Sequence, residues 1–193
     1  MSGKTTDWII TYTGKKFYPL EPDPRALDIA DIAHALSNIC RYTGHTLRFY
    51  SVAEHSVRLA RFFKHENRET QRCALLHDAS EAYLSDLPRP LKNRPEFLFY
   101  RDAEERLQNM ICMAFGVPTK LPPMVAKADN DIVGDEARAL LLPDAQPEWD
   151  LPIGISDIVT SPNDFGGHKE FGWKPYEAEE RFMWVFDDLW GRR

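Results

Sequence analysis

At 193 residues, with 43% hydrophobic and 28% charged side chains, the chain has the size and balance of one globular domain that buries a core without disulfides or a structural metal. Five Trp and eleven Phe exclude a disordered chain, and a formal net charge of -6 leaves no broad basic footprint for a polynucleotide, only room for a local basic pocket that takes a small phosphate ester. Cys40, Cys73 and Cys112 lack paired spacing, which argues against a disulfide framework or a cysteine zinc site. No run reaches the ~18 apolar residues of a membrane span, and the polar start MSGKTTD has no secretory signature, so the expected compartment is the cytoplasm with no membrane partner.

The first structured segment is Trp8 to Tyr18, two β-prone runs around Thr13, Gly14 and Lys15 that predict a short hairpin. Helices are expected from there on. Asp28 to about Cys40 places Ile29, Ile32, Ala33 and Leu36 on one face and breaks at Thr43 and Gly44. A second helix starts at the capping box Ser51-Val-Ala-Glu54 and runs to about Lys64. A third is expected over Glu69 to Leu84, stopped by Pro88 and Pro90. A fourth runs from about Glu96, with Ala103, Leu107, Met110, Ile111 and Ala114 at core spacing, to Gly116 and Pro118; a fifth spans about Pro123 to Leu142. Residues 143–175 gather prolines and glycines and predict loop, with one short strand at Ile155 to Thr160. A last helix, Tyr176 to Trp190, carries Phe182, Val185, Phe186 and Leu189 inward and is expected to dock on the others. The expected fold is therefore all-α: a helical bundle with a short N-terminal β-hairpin and a loop-rich C-terminal segment. Residues 1–193 form one domain in this reading, with a core at about 25–142.

Two features break the apolar pattern. Asp129 has Val125, Ile132 and Val133 as helical neighbours, which puts an acid on a core stripe where it needs a cation, a metal or strong donors. His77 and Asp78 follow the apolar run Cys73-Ala-Leu-Leu76, and Glu81 falls one helical turn past His77. His55 sits beside the apolar stripe of the preceding helix. Two imidazoles and two carboxylates from three helices make a mixed N/O set suited to Mn, Fe, Co, Ni, Zn or Mg, with room for water and substrate. Taken singly, each residue also fits a plain structural role: a satisfied histidine, a loop-capping acid, an Asp129–Arg pair.

In order, the set is His, then His-Asp, then a distant Asp, each on a helix, and it resembles the HD-domain phosphohydrolases. Ser51-Val-Ala-Glu-His55-Ser and Leu75-Leu-His-Asp-Ala-Ser-Glu81-Ala-Tyr-Leu-Ser-Asp86-Leu-Pro-Arg-Pro-Leu-Lys92 are similar to the bacterial 5'-deoxynucleotidases. Gly14-Lys-Lys-Phe-Tyr18 and Leu36-Ser-Asn-Ile-Cys-Arg-Tyr42 look like the phage-linked YfdR-like branch, related in turn to phage dATP triphosphohydrolases. The resemblance covers about residues 10–142 and, loosely, the last helix.

The resemblance implies an HD-domain bundle in which His55, His77, Asp78 and Asp129 hold one divalent metal ion. Glu81 is implied as the catalytic acid that handles the attacking water, and Asp86 as an acid near sugar and leaving group. Arg41 and Lys92 are implied at phosphate-binding positions, and Tyr42 stands where relatives carry a Trp against the nucleoside. The implied activity is removal of the 5'-phosphate of a (deoxy)nucleoside monophosphate. Its alternatives are a dNTP triphosphohydrolase of the dATP type and, from another class, a catalytically silent ligand-binding module on the same scaffold. The implied partner is a small-molecule nucleotide, not a polynucleotide; relatives are often dimers, so a homodimer stays open with no sequence feature fixing its interface. Among the other histidines, His34 reads as structural or exposed, His168 as a loop residue able to cover the site, and His45 and His65 carry no signal. Tyr83 and the Met and Phe positions read as core.

Overall fold

The structure, a computed structural model, describes residues 7–141, 150–155 and 171–192. They are mostly helical, with one two-stranded antiparallel hairpin at the N-terminal end. Strand β1 (Ile9–Ile10) pairs with β2 (Lys16–Phe17) in the register Ile9 to Phe17 and Ile10 to Lys16. The reversal passes through Gly14 at φ 81°, a left-handed conformation that glycine adopts without steric penalty. Its tip is tied to the first helix, because Thr13 donates through its amide (2.6 Å) and hydroxyl (2.9 Å) to the Asp31 carboxylate.

Helix α1 (Ile29–Asn38) is capped by Asp28, α2 (Val52–Phe62) by Ser51 and α3 (Arg68–Leu76) by Asn67, each side-chain oxygen accepting from a backbone amide of the first turn. The expected reciprocal half of the box at Ser51 is not made. Glu54 is fully buried and turns away, pairing with Arg58 (2.7 Å) and accepting from the amides of Gly172 (3.1 Å) and Trp173 (2.7 Å). Its carboxylate therefore fastens the C-terminal segment to α2, a role that outweighs the local cap because two buried amides need an acceptor.

The helix expected over Glu69 to Leu84 is two. After α3 a tight turn over His77 to Ser80 leads into α4 (Glu81–Leu84), and Pro90 lies inside a further short helix, α5 (Arg89–Lys92), at a first-turn position that tolerates proline. A 3-10 turn (Pro95–Phe97) precedes α6 (Leu98–Phe115), which ends at Gly116 in the left-handed conformation. Helices α7 (Pro123–Leu140) and α8 (Pro175–Trp190) follow. Docking of the last helix is as expected: α8 packs on α1, α2 and α3 and delivers Phe182, Val185, Phe186 and Leu189 to the main core. The loop and strand expected at 143–175, and His168, fall mainly outside the described residues; Ile155 is described, without strand structure.

The core joins Phe17, Ile32, Leu36, Leu59, Leu75, Leu107, Ile111 and Phe186. Tyr83 belongs to it and stacks on Phe17 with ring centroids 4.0 Å apart, so the hairpin braces α4. The expectation that Met and Phe positions are core fails at Met113 (67% exposed) and Phe99 (65%), which lie on the outer face of α6. His34 stacks on Tyr12 at 3.7 Å and meets Glu179 at 3.0 Å, a structural role; His45 and His65 are exposed. Among the described residues, no helix is long and apolar enough to cross a membrane.

Candidate metal centre

Helix α2 contributes His55, the C-terminal end of α3 contributes His77 with Asp78 next to it, and α7 contributes Asp129 from two turns inside the helix. Their polar atoms converge. His55 Nε2 lies 3.2 Å from His77 Nε2 and 3.0 Å from Asp129 Oδ1; His77 Nε2 lies 3.5 Å from the same oxygen and 3.0 Å from Asp78 Oδ2. His55 Nε2 to Asp78 Oδ2 is 3.8 Å. Ligand atoms of His55, His77 and Asp129 all fall within 4.8 Å of one another, close enough to share one ion.

The far sides of both imidazoles fix what the near sides offer. His77 Nδ1 lies 2.8 Å from the Ala74 carbonyl, which can only accept, so Nδ1 carries the hydrogen. His55 Nδ1 lies 2.6 Å from Glu136 Oε1, whose carboxyl is held low, to about 2, by Arg41 and His55 against the opposing effect of burial. It donates likewise. Two N–H groups cannot face each other at 3.2 Å, so at least one of the two Nε2 atoms turns an electron pair toward the other, with carboxylate oxygens of Asp78 and Asp129 beside them. Such a buried gathering of donors is repulsive unless a cation or protons sit among them, and the mixed N/O set fits a first-row divalent ion or Mg. The charges show the same demand for a positive group between them: burial works against the His55 and His77 imidazolium forms, and Arg41 against that of His55, yet the adjacent carboxylates outweigh this and raise both. Asp78 and Asp129, opposed by burial, are lowered by those imidazoles.

Glu136 was missed in the sequence. It is 0% exposed and accepts from the hydroxyls of Tyr50 (2.8 Å) and Tyr42 (2.6 Å) as well as from His55, with Arg41 Nε at 3.4 Å. A signal existed: Glu136 follows Asp129 by seven residues on the same helical stripe, with Ile132 before it and Leu140 after it. Carboxylates that hold the outer nitrogen of a ligating histidine fix its tautomer and raise its basicity.

The other sequence candidates lie around this centre. Arg41 points Nη1 to Asp78 Oδ2 at 3.5 Å, and its backbone amide is held by the Tyr50 carbonyl at 2.8 Å. Tyr42 and the following Thr43 adopt φ 55° and 54°, a left-handed pair that costs strain and is held by the Tyr42–Glu136 bond. Tyr42 thus commits its hydroxyl proton to Glu136. Glu81 does not share a continuous helix with His77, as the sequence suggested, but starts α4 across the turn. It is buried, and its Oε2 finds no hydrogen-bond partner among the described residues. Burial, then Asp78 and Asp86, push its carboxyl up to about 9. Asp86 is itself raised by burial and by Asp78, with Arg41 acting against the rise. Lys92 Nζ bridges Glu81 (3.4 Å) and Glu104 (2.6 Å); the Glu104 partner was not anticipated either. Burial works against the Lys92 ammonium, but these acids raise it further.

Among the described residues, the centre therefore gathers a donor cluster for one cation, the cationic side chains of Arg41 and Lys92, and Glu81 with an unengaged oxygen. No protein-family model matches the chain. It is 39% identical over 149 residues to the uncharacterized protein YfdR of Escherichia coli (strain K12), a match spanning 77% of this chain and 80% of that one. It is also 34% identical over 127 residues to an uncharacterized protein of Rhodobacter capsulatus, spanning 63% of this chain and 64% of its relative. Neither relative brings an assigned reaction, so the chemistry has to come from the site.

Proposed function

The chain belongs to the family of the Escherichia coli protein YfdR, and from its donor cluster we propose that it is a metal-dependent phosphohydrolase with an HD-domain core, removing the 5'-phosphate of a (deoxy)nucleoside monophosphate. The observation that carries this reading is the 3.2 Å approach of the two histidine Nε2 atoms beside Asp129 and Asp78. His55, His77, Asp78 and Asp129 would hold one divalent ion, and residues 1–193 act as one catalytic unit. The nucleotide class is supported by the resemblance of Leu75 to Lys92 to the 5'-deoxynucleotidases.

When bound, the ion supplies an activated water and neutralises charge on a phosphoryl oxygen. Arg41 and Lys92 bind the remaining phosphate oxygens. Both already face carboxylates, Arg41 facing Asp78 and Glu136 and Lys92 facing Glu81 and Glu104, so they are held in place before the dianion arrives. Glu81, once ionised, would take the proton of the attacking water at its unengaged Oε2, its raised carboxyl brought down toward neutral pH by a bound cation beside Asp78. Asp86, the neighbouring acid, lies on the sugar side. Phosphoryl transfer asks little more of a protein than such positioning and charge.

A nucleotide panel with added Mn or Co tests the reading. Phosphate released from dAMP, with bound metal and turnover both lost in a folded His77→Ala variant, is the expected result. Tripolyphosphate from dATP would move the activity to the triphosphohydrolase type, and unchanged turnover in the variant would remove the metal from the mechanism. Tight nucleotide binding with no product from any substrate would leave a silent ligand-binding module.

A further inference from the structure

We infer that Gln108 is a positioning residue: its carboxamide, inserted from α6 into the backbone ladder between α3 and α4, sets where Glu81 stands relative to His77 and Asp78. In a continuing α-helix the Leu76 carbonyl would accept from the Ser80 amide four residues on. Here the Ser80 amide donates instead to Gln108 Oε1 at 3.0 Å, and Gln108 Nε2 donates to the Leu76 carbonyl at 2.6 Å. One side chain stands in the gap of a missing helical bond and satisfies both of its halves. The orientation of the carboxamide is fixed by its partners, since an amide N–H can only donate and a carbonyl can only accept.

Around the insertion the ladder tightens to three-residue spacing. The Ala79 amide bonds Leu76 (3.1 Å), Glu81 bonds Asp78 (3.0 Å), Ala82 bonds Ala79 (3.3 Å) and Tyr83 bonds Ser80 (3.1 Å). A side chain entering the ladder is an established cause of a sharp kink, and nothing local competes with it, because His77 to Leu84 contains no proline and no glycine. The rest of α6 extends the same pattern. Tyr100 donates to the Ser85 carbonyl (2.6 Å), Arg101 to the carbonyls of Lys92 and Arg94, and Glu104 holds Lys92. The chain from Leu76 to Arg94 is thus hung on α6 by side chains, and Gln108 brackets Asp78, holding the chain on either side of it where it turns toward Glu81. His77 keeps its own anchor at Ala74 upstream, and Asp78 keeps its contacts with His77 at 3.0 Å and Arg41 at 3.5 Å, so loss of Gln108 redirects Glu81 more than it disturbs the ligands.

The consequence for turnover rests on the phosphohydrolase reading; the geometry does not. Gln108→Met preserves length and removes donor and acceptor, leaving the Leu76 carbonyl and Ser80 amide free to pair. Its crystal structure is expected to show α3 continuing through Ser80. Mn affinity by calorimetry should stay within about threefold, against the 10- to 100-fold loss of a group that orients a ligand. With KM little changed, kcat should fall about 100-fold, the scale of a misplaced reacting group. A retained break at 77–80, an unchanged kcat, or Mn affinity and kcat lost in parallel overturns the inference. Should Gln108→Met fail to fold, Gln108→Glu decides, since it keeps the acceptor for Ser80 and loses the donor to Leu76: kcat lowered about tenfold at constant Mn affinity supports the inference, and wild-type kcat overturns it. If the wild-type protein cleaves no phosphate ester, the functional reading falls while the crystal structure of the variant still decides the role of Gln108.

Discussion

Asp129 and Glu136 ride two turns apart on one 18-residue helix, whereas Glu81, Asp86 and Lys92 ride on two four-residue helices and the turns around them. The first wall is closed on itself: both oxygens of Glu136 accept hydrogen bonds, and His55 is held through both ring nitrogens. The second wall leaves Glu81 Oε2 without a partner among the described residues, and its backbone is held from outside by α6. A metal site needs the first kind of wall, because an electron-pair donor displaced by a fraction of an ångström loses its ion. Proton transfer needs the second, because a group that is fully engaged cannot take a proton. The two walls should therefore fail differently when cut.

The largest effect is expected at Asp129. Asp129→Ala removes a donor from the closed wall and leaves two facing imidazoles with one carboxylate, so bound Mn should be lost in elemental analysis. Turnover should fall by about 10³-fold or more, which corresponds to several kcal/mol of lost charge stabilisation. Retained metal at full stoichiometry would break the comparison at its root.

Next comes Glu81→Gln, which leaves the closed wall whole. Mn affinity should hold while kcat drops by about 10²- to 10³-fold, within the range of a positioned proton acceptor. The pH profile adds a sign. A carboxyl pushed up to about 9 is protonated at neutral pH and accepts a proton only as it ionises, so wild-type turnover should rise with pH. Its midpoint should fall below that value once a cation next to Asp78 favours the ionised form. The limb should vanish in Glu81→Gln; a limb that persists assigns the proton to another group.

Glu136→Gln is expected to be smaller and of the opposite kind. It retains an acceptor oxygen but gives up the charge that faces His55 and Arg41, so Mn affinity should weaken by about 10- to 100-fold while kcat at saturating metal stays close to wild type. If Glu136→Gln lowers kcat at saturation instead, the two walls are not separable.

How much of this could be read from the sequence divides along the same line. The closed wall was largely legible because its residues stand on long helices whose periodicity fixes a face: Asp129 betrayed itself as an acid between Val125 and Ile132, and the same test applied seven residues on exposes Glu136. The open wall was legible in composition but not in geometry. Its governing contact, Gln108 to Ser80, spans 28 residues, and no local pattern in His77 to Leu84 announces a break. Glu54 failed for the same reason: Ser51-Val-Ala-Glu54 is a sound local cap, but Gly172 and Trp173, 118 and 119 residues away, supply buried amides that claim the carboxylate. Local rules predicted local bonds, and the errors fell where a distant donor offered a better partner.

The smallest effect is expected at Ser51, whose hydroxyl caps α2 by accepting from the Glu54 amide at 3.1 Å, one turn before His55. Ser51→Ala leaves that buried amide without its partner and should lower stability by about 1 kcal/mol, read as a shifted midpoint in urea. Its effect on the metal should be close to nil, because His55 is positioned at Nδ1 by Glu136 on another helix and not by the start of its own. A Ser51→Ala protein that loses Mn affinity in proportion to its stability would mean that the closed wall is only as firm as the helix ends beneath it. One that keeps its affinity would place the rigidity of the centre in the bond between α2 and α7.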